Sequence, residues 1–122
     1  MSYTIGIDVS TTAVKALLVD STGAVAGLAS TDTPLQTPRP LWSEQNAEDW
    51  WRGACRSLRR LWADTGVDTH EIAAIGLTGQ MHTLTMLDER GEVLRPAILW
   101  SDQRTSPQCD EIRCLVGKER MC

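Results

Sequence analysis

The stretch GIDVSTTAVK, residues 6–15, carries side chains that could handle a phosphoryl group. Asp8 ends an apolar run and Lys15 opens the next, and between them stand the hydroxyl residues Ser10, Thr11 and Thr12. Small residues let backbone N–H groups approach a phosphate and hydroxyls add donors, although the same residues could merely satisfy a polar turn. Asp8 could hold a magnesium ion directly or through water, and Lys15 could offset charge on a transferring phosphoryl group.

A second stretch, IGLTGQMHTLTMLD at residues 75–88, interrupts two apolar runs with Gly-Gln-Met-His. Gly79 would let the backbone approach a small molecule at the end of a strand, where α/β sheets usually bind ligands. Gln80 and His82 can donate and accept hydrogen bonds, and Met81 can pack on a carbon skeleton. The combination suits a neutral polyol, and the alternative is a loop that holds His82 as a partly buried, satisfied histidine.

A third stretch, ILWSDQR at residues 98–104, places an aromatic residue beside two opposite charges. Trp100 could form an apolar wall against a sugar ring or chain. Asp102 and Arg104 could pair or bond to the backbone. A core position for Trp100, with the charges as local ties, is the alternative.

The elements that must position these stretches follow from the apolar patterning. Apolar runs at residues 3–8, 14–20 and roughly 24–31, separated by short turns, predict an antiparallel meander. A three-four apolar spacing predicts a helix with Asn46 as N-cap, running to about Asp64 and stopped by Gly66. The next strand, 72–78, is reached through that helix and should therefore lie parallel to a meander strand.

The remaining elements are shorter. The sequence predicts a strand at 84–87 that turns back into 92–94, and the segment 97–100 leads into SDQRTSP. Ser106 and Pro107 suit the N-cap and first position of a helix that runs to about Val116. The polar face of the long helix carries a basic stripe that is expected to be solvated, formed by Arg52, Arg56, Arg59 and Arg60.

Composition excludes several function classes. The chain has 122 residues, 42% of them apolar, and a net charge of −4, which disfavours binding to nucleic acid or to an anionic membrane. The sequence contains no apolar run long enough for a membrane span, and its N-terminus lacks a signal-peptide pattern, so the cytoplasm is the expected compartment. The cysteines show no metal-binding spacing and are expected to be free thiols, at positions Cys55, Cys109, Cys114 and Cys122.

Four stretches, in this order and spacing, resemble the N-terminal part of the FGGY carbohydrate kinases. They are IGIDVSTTAVKALLVD, LWSEQNAEDWW, IGLTGQMHTLTMLD and RPAILWSDQRT. The resemblance runs from Tyr3 to about Leu115, and the Gly-Gln-Met-His element is its most specific part. Glycerol kinases have charged residues after the Gln, so the neutral Met81-His82 pair points to a ketopentose, D-xylulose in the best match. LWSEQ is also family-like, and we interpret it as packing.

The resemblance implies an α/β fold of the actin-like, ribonuclease-H-like kind: a mixed sheet flanked by helices, in two lobes facing across a cleft. Residues 1–122 would form the N-terminal part of the first lobe, with the C-terminal ATP-binding domain absent from this chain. The resemblance also implies ATP and Mg²⁺ as cofactors and transfer of the γ-phosphate to a sugar hydroxyl. The general base of the family, an Asp in an Asp-Asn-Ala type motif, has no match here, so the isolated chain is expected to be inactive.

Carried over position by position, the resemblance assigns roles to the three stretches. Asp8 is the accessory acidic residue near the metal and the transferred phosphate. The first phosphate-facing hairpin comprises Ser10, Thr11, Thr12 and Lys15. The sugar contacts come from Gln80, Met81, His82 and Trp100. The chain departs from the family pattern at Ser10 and Thr83, where Gly is common, and Thr83 could narrow the pocket and shift the sugar preference.

Two other function classes fit parts of the sequence. A ribonuclease-H-like nuclease would gather carboxylates such as Asp8, Asp88 and Asp102 around two metal ions, but the negative charge and the lack of a basic groove oppose it. A non-catalytic interaction fragment, or a homo-oligomer, would follow from sheet edges and apolar faces that half a domain leaves uncovered.

Overall fold

Three antiparallel strands begin the chain in the computed structural model, which describes residues 2–120. These are β1 (Tyr3–Val9), β2 (Ala13–Asp20) and β3 (Val25–Asp32), paired β1 with β2 and β2 with β3. The predicted meander is therefore confirmed. A fourth long strand, β5 (Ile72–Gly79), pairs parallel to β1, which confirms its predicted direction and gives the sheet order β3-β2-β1-β5.

The long helix α1 (Ala47–Thr65) carries the chain from the meander to β5. Asn46 accepts a hydrogen bond from the N–H of Glu48, and Gly66 ends the helix with a φ of 66°, a left-handed conformation that glycine adopts without strain. Both predicted boundaries are confirmed. The four predicted arginines of the outer face are exposed, as the solvated interpretation expects.

The core lies between α1 and one face of the sheet. Alternate residues of the strands point to this face, and they pack with Ala54 and Leu61 of the helix. These strand residues are Ile5, Ile7, Val14, Ala16, Leu18 and Ala29. Gly53 brings the helix close to β2, since a Cβ there would lie 2.9 Å from Cγ2 of Val14. Ser57 is fully buried and donates to the carbonyl of Val14 at 2.8 Å.

The prediction of strands at 84–87 and 92–94 is wrong, because neither segment forms a regular strand. Leu87 and Val93 form an isolated bridge, and the N–H of Leu94 donates to the carbonyl of Met86 at 3.0 Å, so the chain does fold back there. Leu84, Met86 and Leu87 are all exposed, because nothing in the described part of the chain packs over them. Without a packed face, an apolar run does not become a regular strand.

A two-stranded ribbon that the sequence did not indicate forms instead. It consists of β4 (Glu44–Gln45) and β6 (Ala97–Ile98), paired antiparallel. Helix α2 (Ser106–Val116) follows as predicted, although Thr105 rather than Ser106 is the N-cap, and all but one of its residues are exposed. None of the helices among residues 2–120 is both long and apolar enough to cross a bilayer. Three cysteines are free, and Cys122 lies outside the described residues.

Candidate functional site

The carboxyl ends of β1 and β5 meet at one edge of the sheet. Asp8 pairs in register with Thr78, and Val9 with Gly79. Beyond the last pair, the N–H of Gln80 donates to the carbonyl of Val9 at 2.9 Å and extends the pairing by one residue. The Ser/Thr turn after β1 and the Met-His turn after β5 therefore leave the sheet side by side, as their position at strand ends predicts.

Asp8 and Lys15 face each other across the β1–β2 hairpin. The two residues pair in register, and the hydroxyl of Ser10 donates to the carboxylate of Asp8 at 2.5 Å. Asp8, Lys15 and Thr78 are the polar residues that line an open, mainly apolar hollow of about 390 Å³, whose other lining residues include Leu17 and Leu28. A carboxylate and a hydroxyl together offer the hard oxygen ligands that Mg²⁺ prefers.

The hydroxyl of Thr11 connects all three predicted stretches. It donates to Oε1 of Gln80 at 3.3 Å and accepts from Nε1 of Trp100 at 3.1 Å. Trp100 is 61% exposed, so the alternative that places it in the core is wrong. One hydroxyl thus ties the Ser/Thr turn after β1, the Met-His turn and Trp100 to one another.

Gln45 lies beneath this contact and is the residue that sequence reasoning missed. Its side chain is buried, with 1% exposure, and its Nε2 donates to the carbonyl of Thr11 at 2.5 Å. Its Oε1 accepts from Nε1 of Trp50 at 3.0 Å and from Nε2 of Gln80 at 3.1 Å. The LWSEQ segment was interpreted as packing, whereas in the structure it carries the polar centre of the site. Hereafter we call Thr11, Gln45, Gln80 and Trp100 the junction.

Met81 and His82 form the tip of the second turn. Met81 is 71% exposed, and His82 has a φ of 58°, a left-handed conformation that is uncommon for a residue with a side chain. The hydroxyl of Thr83 donates to Oε1 of Gln80 at 3.3 Å and braces the turn. Both tip residues are therefore presented to solvent by a backbone that is fixed at its base.

A charged cluster holds the segment that carries Trp100. Arg104 donates to Asp102 at 2.7 Å and to Glu44 at 2.8 Å, and its guanidinium lies 3.7 Å from the ring centre of Trp42. Asp102 also accepts from the N–H of Ser43 at 2.7 Å. Hydrogen bonding from Arg104 is the main reason that the pKa of Asp102 falls from 3.8 to about 2. The predicted pairing of Asp102 with Arg104 is confirmed, and its function is to join two segments.

The predicted site residues fall into two neighbouring groups. Thr11, Gln80 and Trp100 are in direct contact, whereas Asp8, Ser10 and Lys15 form a second group on the hairpin. A smaller hollow of about 120 Å³ adjoins Gln80 and is lined by Val9, Trp50, Gly79, Gln80 and Thr83. Asp8 lines the larger hollow and Gln80 the smaller one, so a single cavity shared by Asp8 and His82, as a common phosphate and sugar site would require, stays a prediction.

The carboxylates expected of a nuclease do not gather. Asp102 is bonded to Arg104, and Asp88 accepts from the backbone N–H groups of Arg90 and Glu92 in its own turn. Within the described range 2–120, no three acidic, histidine or cysteine side chains cluster in a way that could hold a metal ion. The nuclease interpretation receives no support from this arrangement.

Known proteins are similar to this chain in both sequence and structure. The model of the N-terminal domain of the FGGY family of carbohydrate kinases matches residues 3–121. A xylulose kinase of Bacillus subtilis is 45% identical over 89% of the chain, and one of Escherichia coli is 38% identical over 96%. The crystal structure of a xylulose kinase from Rhodospirillum rubrum superimposes with a TM-score of 0.84 at 36% identity, covering 95% of the chain and 24% of that protein.

The chain spans less than a quarter of the length of these curated relatives: 22% of the Bacillus subtilis protein and 24% of the Escherichia coli protein. The likeness to structures of sugar kinases with the actin-like fold confirms the predicted fold class, a mixed α/β sheet with flanking helices.

Proposed function

The chain belongs to the FGGY family of carbohydrate kinases, and we propose that it acts as the N-terminal part of the first lobe of an enzyme that phosphorylates a ketopentose. The proposed reaction transfers the γ-phosphoryl group of ATP to a hydroxyl of D-xylulose and gives D-xylulose 5-phosphate and ADP. The observation that carries the proposal is the junction, because one hydroxyl connects the phosphate-type turn to the sugar-type turn. The similarity to proteins named xylulose kinase supports the choice of sugar.

The sugar side of the proposed site is neutral and half apolar. Met81 and the ring of Trp100 are exposed and can pack against the carbon chain, and His82 can exchange hydrogen bonds with its hydroxyls. Gln80 contributes from the base of the turn, where its amide already bonds to Gln45 and Thr11. A neutral lining binds a polyol without the cost of desolvating a fixed charge.

The phosphate side is the hairpin that contains Ser10, Thr11 and Thr12. Its hydroxyls can donate to phosphate oxygens, and the exposed Lys15 can offset their negative charge. Asp8, with Ser10 beside it, would hold Mg²⁺ directly or through water, and the bound ion would neutralise charge on the β- and γ-phosphates. Asp8 acts as an accessory group in this proposal, and the base that deprotonates the sugar would come from another part of the whole enzyme.

Two preparations test the proposal. The first is the 122-residue chain alone, for which we expect no turnover, because positioning both substrates requires groups from both lobes. The second is a chimera in which this chain replaces the segment that it matches in the Bacillus subtilis xylulose kinase. We expect the chimera to convert D-xylulose to a pentose phosphate, identified by mass spectrometry, and to discriminate against glycerol. A chimera that folds and favours glycerol, or turns over no sugar, would overturn the substrate assignment.

The compartment and the assembly state are parts of the same proposal. A kinase of soluble metabolites that uses ATP fits the cytoplasm. The partner is a small sugar, with no role for nucleic acid or membrane, and a homo-oligomer is open to test by light scattering. Fractionation of cells that express the tagged chain would check the compartment.

A further inference from the structure

We propose that Gln45 is a positioning residue that sets the orientation of Gln80 and of the Thr11 hydroxyl, and thereby holds the sugar side and the phosphate side at a fixed spacing. This inference rests on the proposed function. Gln45 contacts neither substrate in this account and acts through its neighbours. Each hydrogen bond within the junction has a defined direction, and these directions support the role.

The surroundings of Gln45 permit only one orientation of its side-chain amide. Its Oε1 faces the indole N–H of Trp50, which can only donate. Its Nε2 faces the carbonyl oxygens of Thr11 and Pro34, which can only accept, and the hydroxyl of Thr33. A flipped amide would set its N–H against the N–H of Trp50 and its oxygen against two carbonyl oxygens, whatever the orientation of Gln80. Since the side chain is buried, each lost bond would leave an unsatisfied polar atom, at a cost of about 1–3 kcal/mol.

Gln45 in turn fixes the orientation of the side-chain amide of Gln80. Because Oε1 of Gln45 is an acceptor, the atom of Gln80 that faces it must be the amide nitrogen. The oxygen of Gln80 then faces the hydroxyls of Thr11 and Thr83, and both donate to it at 3.3 Å. Thr83 belongs to the Met-His turn, so the orientation reaches the sugar side.

The Thr11 hydroxyl can then point its proton in only one direction. Its proton points to Gln80, so its lone pair is available to Nε1 of Trp100, which donates at 3.1 Å. Indole N–H is a donor only, and this contact requires the hydroxyl to accept. Gln45 therefore determines, through Gln80 and Thr11, how the aromatic wall is tied to the phosphate-type turn.

The decisive variant is Gln45→Glu in the chimera, because its carboxyl group can reproduce the pattern only when protonated. The protonated form keeps an acceptor for Trp50 and Gln80 and an O–H donor for the Thr11 carbonyl, and it loses only the longer contacts to Thr33 and Pro34. The ionised form places an oxygen anion against that carbonyl. None of the hydrogen-bond partners of Gln45 is titratable, and the neighbouring Glu44 is engaged by Arg95 and Arg104. Burial raises the pKa of a carboxyl group, so the introduced carboxyl should ionise, and the activity should fall, within an accessible pH range.

We expect kcat/KM for D-xylulose in Gln45→Glu to fall as the pH rises through the pKa of the introduced carboxyl, on a limb that the unmodified chimera lacks. Gln45→Leu should lose about 10–100-fold in kcat/KM at every pH, as expected for misplaced groups. The control is Gln108→Leu, an exposed position on α2, which should leave both parameters unchanged. Melting temperatures show which variants are folded, and a merely structural role would lower them without moving kcat/KM of the folded enzyme.

The outcomes separate the two proposals. A chimera without kinase activity would refute the proposed function, whereas an active chimera whose Gln45→Leu variant keeps full kcat/KM would refute the positioning role alone. A measurement on the 122-residue chain needs no activity: the side-chain amide proton shifts of Gln80 should move towards random-coil values in Gln45→Leu. Unchanged Gln80 shifts in a folded variant would overturn the inference on structural grounds.

Discussion

The two faces of the four-stranded sheet differ completely, although the same strands build both. On one face, residues such as Val14 and Ala16 are buried beneath α1. On the other face, their strand neighbours Lys15 and Leu17 line an open hollow, and Leu28 is 61% exposed. No helix of the described part of the chain buries a residue against this second face; all residues of α2 but one are exposed.

The difference teaches where stability and function lie. The covered face contains the apolar core, and burial of apolar surface is the main source of folding free energy. The bare face and the adjoining strand edge contain Asp8, Lys15 and the junction. Substitutions on the covered face should therefore change stability, and those at the edge should change activity. Each prediction below tests one side of this division.

The largest effect on stability is expected from Leu61→Ala, on the covered face. Leu61 is 2% exposed, and its truncation leaves a cavity that should cost about 2–5 kcal/mol in the free energy of unfolding. The matched change on the bare face, Leu28→Ala, should stay within about 0.5 kcal/mol, as surface changes usually do. Urea unfolding of the 122-residue chain measures both. Equal losses in the two variants would refute the division.

Asp102→Asn should lower the free energy of unfolding, because the change removes the negative charge that Arg104 pairs with, while Glu44 still accepts from Arg104. The pKa of Asp102 is depressed from 3.8 to about 2 in the folded chain. A depressed carboxyl pKa stabilises the fold above the unfolded value, so this contribution is present above about pH 4 and is lost as the pH falls to about 2. The free energy of unfolding, measured from pH 6 to pH 2, should fall less steeply in the variant than in the unmodified chain. If the free energy of unfolding falls equally steeply in both proteins, Asp102 does not make this contribution to stability.

Ser57→Ala, beneath the helix, should lower the unfolding free energy by about 1 kcal/mol, since the variant loses a buried hydrogen bond to the carbonyl of Val14. Ser30 stands on the bare face of β3, next to Thr31, and provides the matched control. Ser30→Ala should change the thermal midpoint very little. A larger shift in Ser30→Ala than in Ser57→Ala would reverse the expected order.

The smallest stability effect is expected for Leu77→Lys on the edge strand β5. Leu77 is highly exposed, so its replacement should change the unfolding free energy by no more than about 0.5 kcal/mol. A charged residue on an edge strand opposes pairing with another chain. If the chain self-associates through this edge, a light-scattering concentration series should show less association for the variant, and unchanged association would locate the contact elsewhere.

Sequence reasoning succeeded where a local pattern determines the structure. The three-four spacing and the caps Asn46 and Gly66 specify α1, and alternation specifies the meander. It failed at residues 84–94, where an apolar run predicts a strand but exposed side chains offer nothing to pack against. Periodicity reports what a segment could bury, and it does not reveal whether a partner surface exists.

The site was predictable in part. The positions of Thr11 and Gln80 at the ends of neighbouring strands predict their proximity, because parallel strands finish at one edge. The buried hydrogen bonds of Gln45 to Thr11 and Gln80 were not predictable, since these two partners lie 34 and 35 residues away along the chain. A polar residue next to tryptophans does not show from sequence whether it is buried. Only the coordinates reveal that it is.

Thr11→Val in the chimera is the variant that tests whether the junction makes one site from the two turns. This change removes the hydroxyl that joins Gln80 to Trp100 and keeps nearly the same side-chain shape. The measurement is kcat/KM for D-xylulose with ATP saturating. We predict a fall of about 10–100-fold in a variant that remains folded. An unchanged kcat/KM would show that the two turns act independently and would contradict the account.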